Sequence, residues 1–499
     1  MRTKAIRTLS LLLSLLLSAP LLGACGESSN SGEEPKTASE LTDTAGENPS
    51  AEESLPEEEP AYDPGIEQKD FGGRDFVIMD RSPDSSGWWV SMDVYAEELT
   101  GEPLNDAVYN RNETVNQYFN IRVTPYTIPD GNFVSTLRSS AAANDHIADL
   151  AMLTLATSIT SAKNALLFDL NAFDAFHPDA PYYTQSILHS TSILHRNYLA
   201  VGDMTLVSNE GTWSLMYNKQ VAENYGVEGL YDLVREGKWT VDRFYGLVKD
   251  IGTDTDGNGK ADLNDFFGML TTGDAYPAFV YALDYKVLDK DENDAVVFCG
   301  FTERLSAAAE KILMILDNDR IACHGQLGGD WSVFQKMFEA NQSLFYSEVL
   351  QCVTRLRSME VDFGLLPLPK LDEIQESYHT NIHSWASDAL TIPTIVEDPD
   401  MSAAVFEYLS FISMSTLKPE YYEKVLTYKA MRDEDSVEML DYLLDGRIVD
   451  IGYLDDTGGI YSGLVSQLNS GKADLASFFE KREKSAQKQL DKFMASFGE

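Results

Sequence analysis

Gly72-Gly73-Arg74-Asp75-Phe76-Val77-Ile78-Met79 is the stretch from which the fold is read. Behind the glycine pair, Phe76 to Met79 is a short unbroken apolar run, the pattern of a strand buried on both faces. Pro103 then opens a helix at a position where its missing N–H costs nothing. Leu104, Ala107, Val108, Val115, Tyr118 and Phe119 recur at helical spacing and give that helix one apolar face. Ile121 to Tyr126 predicts a second strand, Phe133, Val134, Leu137 and Ala141 a second helix, and Ala148 to Leu153 a third strand. Strand and helix in alternation argue for an α/β fold with a parallel sheet and right-handed crossovers. Helices dominate later. Thr240 is placed to cap a helix whose face is Val241, Phe244, Tyr245, Val248 and Ile251. Leu475 to Phe497 reads as a surface helix with an apolar seam.

Upstream of this body the character of the chain changes. Arg2, Lys4 and Arg7 precede an apolar run, Leu9 to Leu22, of 14 residues, short of the ~20 that a membrane-spanning helix needs. This is a secretory signal peptide over residues 1–24. Residues 26–70 hold 14 acids against Lys36 and Lys69, among Ser, Pro and Gly. Such a segment cannot offset its ordering entropy by burial, so residues 25–70 are expected to form a disordered, self-repelling tether. The whole chain has 499 residues and a net charge of −42. That length allows about two to four compact units. That charge repels nucleic-acid phosphates and anionic lipid, so nucleic acid is excluded as a partner. Cys299, Cys323 and Cys352 fit either one disulfide with a free thiol or three thiols.

Catalytic motifs are absent from the sequence. The seven histidines form no H-E-x-x-H; His379 and His383 are four apart but lie in a loop-like context. There is no G-x-S-x-G elbow, no phosphate-binding G-x-x-x-x-G-K and no dinucleotide fingerprint. One inorganic motif stands out. Asp254-Thr255-Asp256-Gly257-Asn258-Gly259-Lys260-Ala261-Asp262-Leu263-Asn264-Asp265 matches the twelve-residue calcium loop, with Asp254, Asp256, Asn258, Asp262 and Asp265 as side-chain ligands and Lys260 offering its carbonyl. Asp265 stands where Glu is usual, and its shorter arm reaches an ion less well. The expected role of a bound calcium is structural. A solvated acidic turn is the alternative.

Several segments carry a family resemblance. Leu22-Gly23-Ala24-Cys25 resembles the bacterial lipobox. Trp213-Ser214-Leu215-Met216-Tyr217-Asn218-Lys219, Gly237-Lys238-Trp239-Thr240 and Asp362-Phe363-Gly364-Leu365-Leu366-Pro367-Leu368-Pro369-Lys370 follow in the order seen in lipoprotein solute-binding proteins of ABC importers. Gly101 to Asn112 looks like large members of the carbohydrate-type group, family 1. The resemblance covers Phe71 to the C-terminus. It implies a two-lobed, periplasmic-binding-protein-like (type II) fold with a hinge and a helix-rich C-terminal region. Lobe 1 would comprise residues 71–213 and 365–415, and lobe 2 residues 214–364 and 416–499.

The same resemblance implies a diacylated Cys25 as the only membrane attachment, permease subunits of the importer as partners, and a monomer on the outer face of the membrane. It implies a small solute, a mono- or oligosaccharide in first place, held between the lobes without catalysis. A peptide or other polar solute, or a secreted carbohydrate-active enzyme with a carboxylate pair, are the alternatives. Ligands of such folds bind at the carboxyl ends of strands. That places Asp80, Arg81, Trp88 and Trp89 after the first strand, Glu210 and Trp213 at the first crossing, Trp331 at a helix start and Trp385 in the return segment. For each tryptophan, core packing competes with the cleft, and Trp239 is assigned to the core.

Overall fold

In the computed structural model, the described residues are 62–83, 89, 92–129, 131–323, 331–422 and 433–498. The predicted alternation is present. Strand β1 (Arg74–Arg81) leads to helix α1 (Pro103–Phe119), β2 (Ile121–Ile128), α2 (Phe133–Ala143), β3 (Leu150–Thr154) and α3 (Leu155–Lys163). β1 pairs in parallel with β2 on one side and with β3 on the other. Successive side chains of a strand point to opposite faces. Phe76 and Ile78 accordingly join the cluster of Val115, Phe119 and Leu409, and Met79 joins Leu137, Leu153 and Ile159 on the other face. A helix late in the chain, Pro399–Ser415, packs on α1, where Tyr408 stacks on Tyr118 with ring centroids 4.1 Å apart.

The chain then enters a second sheet through β4 (Trp213–Asn218), buried at every position. β5 (Phe267–Thr271), the small hairpin β6 (Leu288–Lys290) and β7 (Val296–Phe298), β8 (Ala322–Cys323), β9 (Ser343–Val349) and β10 (Phe363–Leu366) follow. The sheet order is β10-β4-β9-β5-β8, with β9 antiparallel to β4 and parallel to β5. Thr240 caps the helix Val241–Val248 as read, its hydroxyl accepting from the Arg243 N–H. Trp239 is fully buried beside Phe244 and Phe345, its indole N–H donating to the Pro367 carbonyl at 2.9 Å. β11 (Thr380–Asn381) and β12 (Asp388–Thr391) bring the chain back. β12 lies antiparallel to β3 and completes the first sheet, in the order β12-β3-β1-β2. A late strand, β13 (Arg447–Ile448), pairs with β11.

Three expected boundaries move. The return to lobe 1 does not occur at residue 365. β10 is an antiparallel edge partner of β4, and Lys370 and Gln375 still bond the second lobe through Trp239 and Ala282. Leu365, Leu366 and Leu368 are buried and fill that lobe's core, which holds the segment there until the first lobe resumes near Ser384, whose carbonyl accepts from Ala156 N–H. The tether ends earlier than residue 70. Tyr62 packs edge-on against Tyr182, and Ile66 offers its carbonyl to the Tyr118 hydroxyl, so the few apolar side chains of this acidic stretch dock on the first lobe.

The C-terminal region does not belong to lobe 2 alone. The helix Glu434–Asp445 packs on β10. Beyond it, Asp450 accepts from the Val287 and Leu288 N–H groups in the second lobe, while the helix Ile451–Asp455 lies on α3, with Asp455 paired to Lys163. The terminal helix Leu475–Ala495 runs on to Phe497, whose carbonyl accepts from Arg196 at 2.7 Å. Cys299, Cys323 and Cys352 are all free thiols, their pKa values raised by burial, which selects the second of the two cysteine readings. Among the described residues no helix is long and apolar enough to cross a membrane.

Candidate functional site

The two sheets present their polar ends to each other. On the first lobe these are the C-terminal end of β1, with Asp80 and Arg81, and the start of β12, with Asp388. On the second they are the residues before β4 and after β5 and β9. Arg81 and Asp388 form an ion pair at 2.6 Å, with side chains 1% and 2% exposed. The second guanidinium nitrogen of Arg81 donates to the Trp89 carbonyl at 3.0 Å, which ties Trp89 to the end of β1. Trp89 is half-buried, and its ring lies 5.9 Å from that of His383 at an interplanar angle of 30°. His383 in turn stands 4.0 Å from Asp274, just beyond β5 in the second lobe. Trp89, His383 and Asp274 thus make a continuous bridge from one lobe to the other. Trp385, two residues on, is 66% exposed.

The second lobe's wall is acidic. Glu348, at the end of β9, is buried, and its pKa is pushed up to about 7, first by burial and then by repulsion from Asp274. Glu210 is likewise pushed up to about 7 by burial, with Asp93 adding to the shift. Gln351 bridges Glu210 and Arg355, donating to the former at 3.3 Å and accepting from the latter at 2.5 Å. Asp80 has its pKa held well above the usual carboxylate range by burial and by the neighbouring Asp388. Burial lowers that of His383. Carboxyls, an amide, an imidazole and indole faces are together a donor and acceptor set suited to a hydroxylated solute.

Of the expected residues, Arg81 and Trp89 are joined directly, Asp80 lies near Asp388 beside Arg81, Glu210 joins Gln351 and through it Arg355, and Trp385 lies exposed two residues from His383. Trp213 does not join them. It is 2% exposed, inside the second lobe, with its indole N–H donating to Ser347 at 2.8 Å, so β4 uses it for packing. Trp331 opens the helix Trp331–Glu339 as expected, but its side chain lies outside the described residues, as does Trp88 altogether. Asp274, Glu348, Arg355, His383 and Asp388 are cleft residues that the sequence reading missed. The usable signal is a charged residue near the end of an otherwise uncharged, buried strand, as Glu348 stands in Ser343–Val349.

The loop 254–265 lies at the other end of β5 from Asp274. Thr253 and Phe266 exchange backbone hydrogen bonds at its base. Carboxylate oxygens of Asp254, Asp256 and Asp265 all lie within 4.8 Å of one another. Gly257 and Gly259 take positive φ of 72° and 77°, turning their N–H groups onto the Asp254 carboxylate at 2.8 Å each. Asp262 is bound to Asn258 and to the Asn264 N–H, and Lys260 donates its N–H to Asn258. Asp262 is not part of the three-carboxylate group.

No protein-family model and no curated protein matches the chain by sequence. Solved structures do match in fold. An ABC substrate-binding protein from Listeria monocytogenes in complex with cycloalternan shares 13% identity at a TM-score of 0.52, over 85% of this chain and 99% of that one. A cyclo/maltodextrin-binding protein complexed with maltotetraose gives 12% identity and a TM-score of 0.54, over 84% and 96%. UgpB from Mycobacterium tuberculosis in complex with glycerophosphocholine gives 15% and 0.52, over 84% and 98%. The fold is that of the two-lobed solute-binding proteins.

Glu348 supplies a test of the buried wall. A carboxyl whose pKa is raised from its ordinary 4.5 to about 7 in the fold favours the fold most below the unfolded value, and that contribution is lost as pH rises toward 7. The ligand-free protein is expected to lose on the order of 3 kcal/mol from this group between about pH 4.5 and 7. Glu348→Gln should flatten that part of the profile in denaturant melts; an unchanged profile would place the Glu348 carboxyl in solvent.

Proposed function

We propose that the chain is the extracytoplasmic solute-binding component of an ABC importer, which captures a mono- or oligosaccharide between its lobes and passes it to the permease subunits. The observation that carries this reading is the aromatic and carboxylate bridge Trp89–His383–Asp274 across the cleft of a two-lobed fold. An indole face stacks on the C–H face of a sugar, and carboxyl and amide groups bind its hydroxyls. Closure around the solute shifts the population toward the form that the transporter distinguishes from the empty one. Two of the three neighbours described above are complexes with oligosaccharides. Binding stabilises the native state by RT ln(1 + [L]/Kd), so a melting screen over mono- and oligosaccharides should find a solute that raises Tm. Trp89→Ala should weaken that solute by about 1–3 kcal/mol, read by titration calorimetry. If no saccharide shifts Tm, the reading falls.

In this reading residues 1–24 are removed, Cys25 carries the lipid, and the protein works as a monomer tethered to the membrane surface. Cys25 lies outside the described residues. Cys25→Ala should move the protein from the membrane fraction to the soluble fraction of its host; retention in the membrane would refute the anchor.

Calcium is proposed for the loop 254–265. Oxygens on one calcium at 2.3–2.6 Å each lie up to about 5 Å apart, which the separation within 4.8 Å of Asp254, Asp256 and Asp265 satisfies. The ion would turn carboxylate repulsion into attraction at the base of β5 and add its binding energy to folding. Chelator is expected to lower Tm while leaving solute affinity intact, and Asp254→Ala to abolish that chelator effect. Identical melts with and without chelator, on protein shown to contain calcium beforehand, would count against a structural ion.

A further inference from the structure

The lobes also meet away from the cleft residues. In the first lobe, the chain after the helix Gln185–Thr191 makes a two-residue turn at Leu194 and His195. Backbone hydrogen bonds between Ile193 and Arg196 close it, and Ala200 then pairs with Leu390 of β12. Leu194 and His195 both take positive φ, 53° and 61°. Such turns are ordinarily built of Asn-Gly, because other side chains are strained there. That strain persists only where the surroundings over-determine it. Here the surroundings are the tip of the β6–β7 hairpin, in the second lobe. The Asp294 carbonyl accepts from the Leu194 N–H at 2.9 Å. Its carboxylate accepts from the His195 N–H at 2.8 Å and from the Ser192 hydroxyl at 3.0 Å. Lys290, paired with Asp294 at 2.9 Å, donates to the Ser192 hydroxyl at 2.6 Å and to the His189 carbonyl. The side chains of Lys290 and Asp294 are 11% and 8% exposed.

We propose that this clasp is a fixed joint between the lobes, near the axis about which they turn, and that Asp294 holds it. Its place in the fold carries the inference. The base of the hairpin is tied through the Val287 and Leu288 N–H groups to Asp450, just beyond β13. β13 pairs with β11, in the segment that crosses between the lobes, where Thr212 bridges Ile382. Contacts close to the crossing segments move least in a hinge rotation, so they survive a swing that parts the cleft walls. The contact across the cleft is of the other kind: His383 and Asp274 stand 4.0 Å apart, and Asp274 is 65% exposed. The lobes are joined tightly at one place and loosely at the other. Such a joint depends on the two-lobed fold, whatever the solute.

Hydrogen exchange and amine acetylation of the ligand-free protein, both read by mass spectrometry, test the joint. The Leu194 and His195 amides are expected to exchange as slowly as those of β3 and β9. Lys290 should stay unmodified while Lys286, 32% exposed, is acetylated. Asp294→Ala should speed exchange at His195 and acetylation of Lys290 by about 10-fold or more, with β3 and β9 unchanged as the sign of a folded variant. Adding Leu194→Asn and His195→Gly to that variant should restore protection of the Ile193 and Arg196 amides, since an Asn-Gly turn needs no outside support, while Lys290 stays reactive. Spin labels at Tyr126→Cys and Tyr225→Cys, exposed positions on the two lobes, in a Cys299→Ser background, should report more than one interlobe distance. Fast exchange at Leu194 and His195, or ready acetylation of Lys290, in the unaltered protein would show that the clasp parts and would overturn the joint. A single interlobe distance, or full protection retained in Asp294→Ala, would overturn it equally. Where Asp294→Ala fails to fold, Ser192→Ala removes one bond to the same carboxylate and should raise Lys290 acetylation; no rise counts against the proposal.

Discussion

The ion pair between Arg81 and Asp388 joins residues 307 apart in sequence and is the contact on which the cleft depends. A buried pair of this kind is weak support for stability, since removing both charges from water costs about as much as their attraction returns. Its effect is on position. It fixes the end of β1 against the start of β12, and Arg81 also holds Trp89 by its carbonyl. His383, Trp385 and Trp89 all hang from these two chain segments. Loss of one partner would leave a charge stranded in a site with side chains 1% and 2% exposed, so the pair is held in place by the cost of breaking it.

The fold was largely legible because the inner strands of both sheets are buried on both faces, and continuous apolar runs such as Phe76 to Met79 announce that directly. Pro103, Thr240 and the Gly72-Gly73 pair marked where elements start, and each sits where its local chemistry puts it. The return from the second lobe was misplaced because Leu365, Leu366 and Leu368 suit either core; only pairing with β4 decides between them. The cleft was half legible. Residues that directly follow the first strand could be named. His383, Asp274 and Glu348 come from three distant segments, and nothing local in the sequence says that they meet. Trp213 shows the converse: a large aromatic beside a crossing point can be wholly structural, and its indole N–H finds Ser347 rather than a solute.

The two ends of β5 illustrate how the second lobe separates its tasks. One end leads to Asp274 and the cleft. The other closes the aspartate loop through the Thr253 and Phe266 backbone pair. A five-residue strand spans roughly 15 Å, enough to keep the electrostatics of the loop screened from those of the cleft at ordinary salt. Acid-rich segments can therefore serve two ends in one lobe without a shared field.

The C-terminal region touches both lobes, through Asp450 to the Val287 and Leu288 amides on one side and through Asp455 and the Phe497 carbonyl to Lys163 and Arg196 on the other. None of these groups is at the cleft. Any swing of one sheet away from the other has to stretch or slide this rear brace, in the way a door works against its closer. Resistance to such a swing is thus set partly by the C-terminal region, and the grip on a solute would have a mechanical share beyond Trp89, His383 and Asp274.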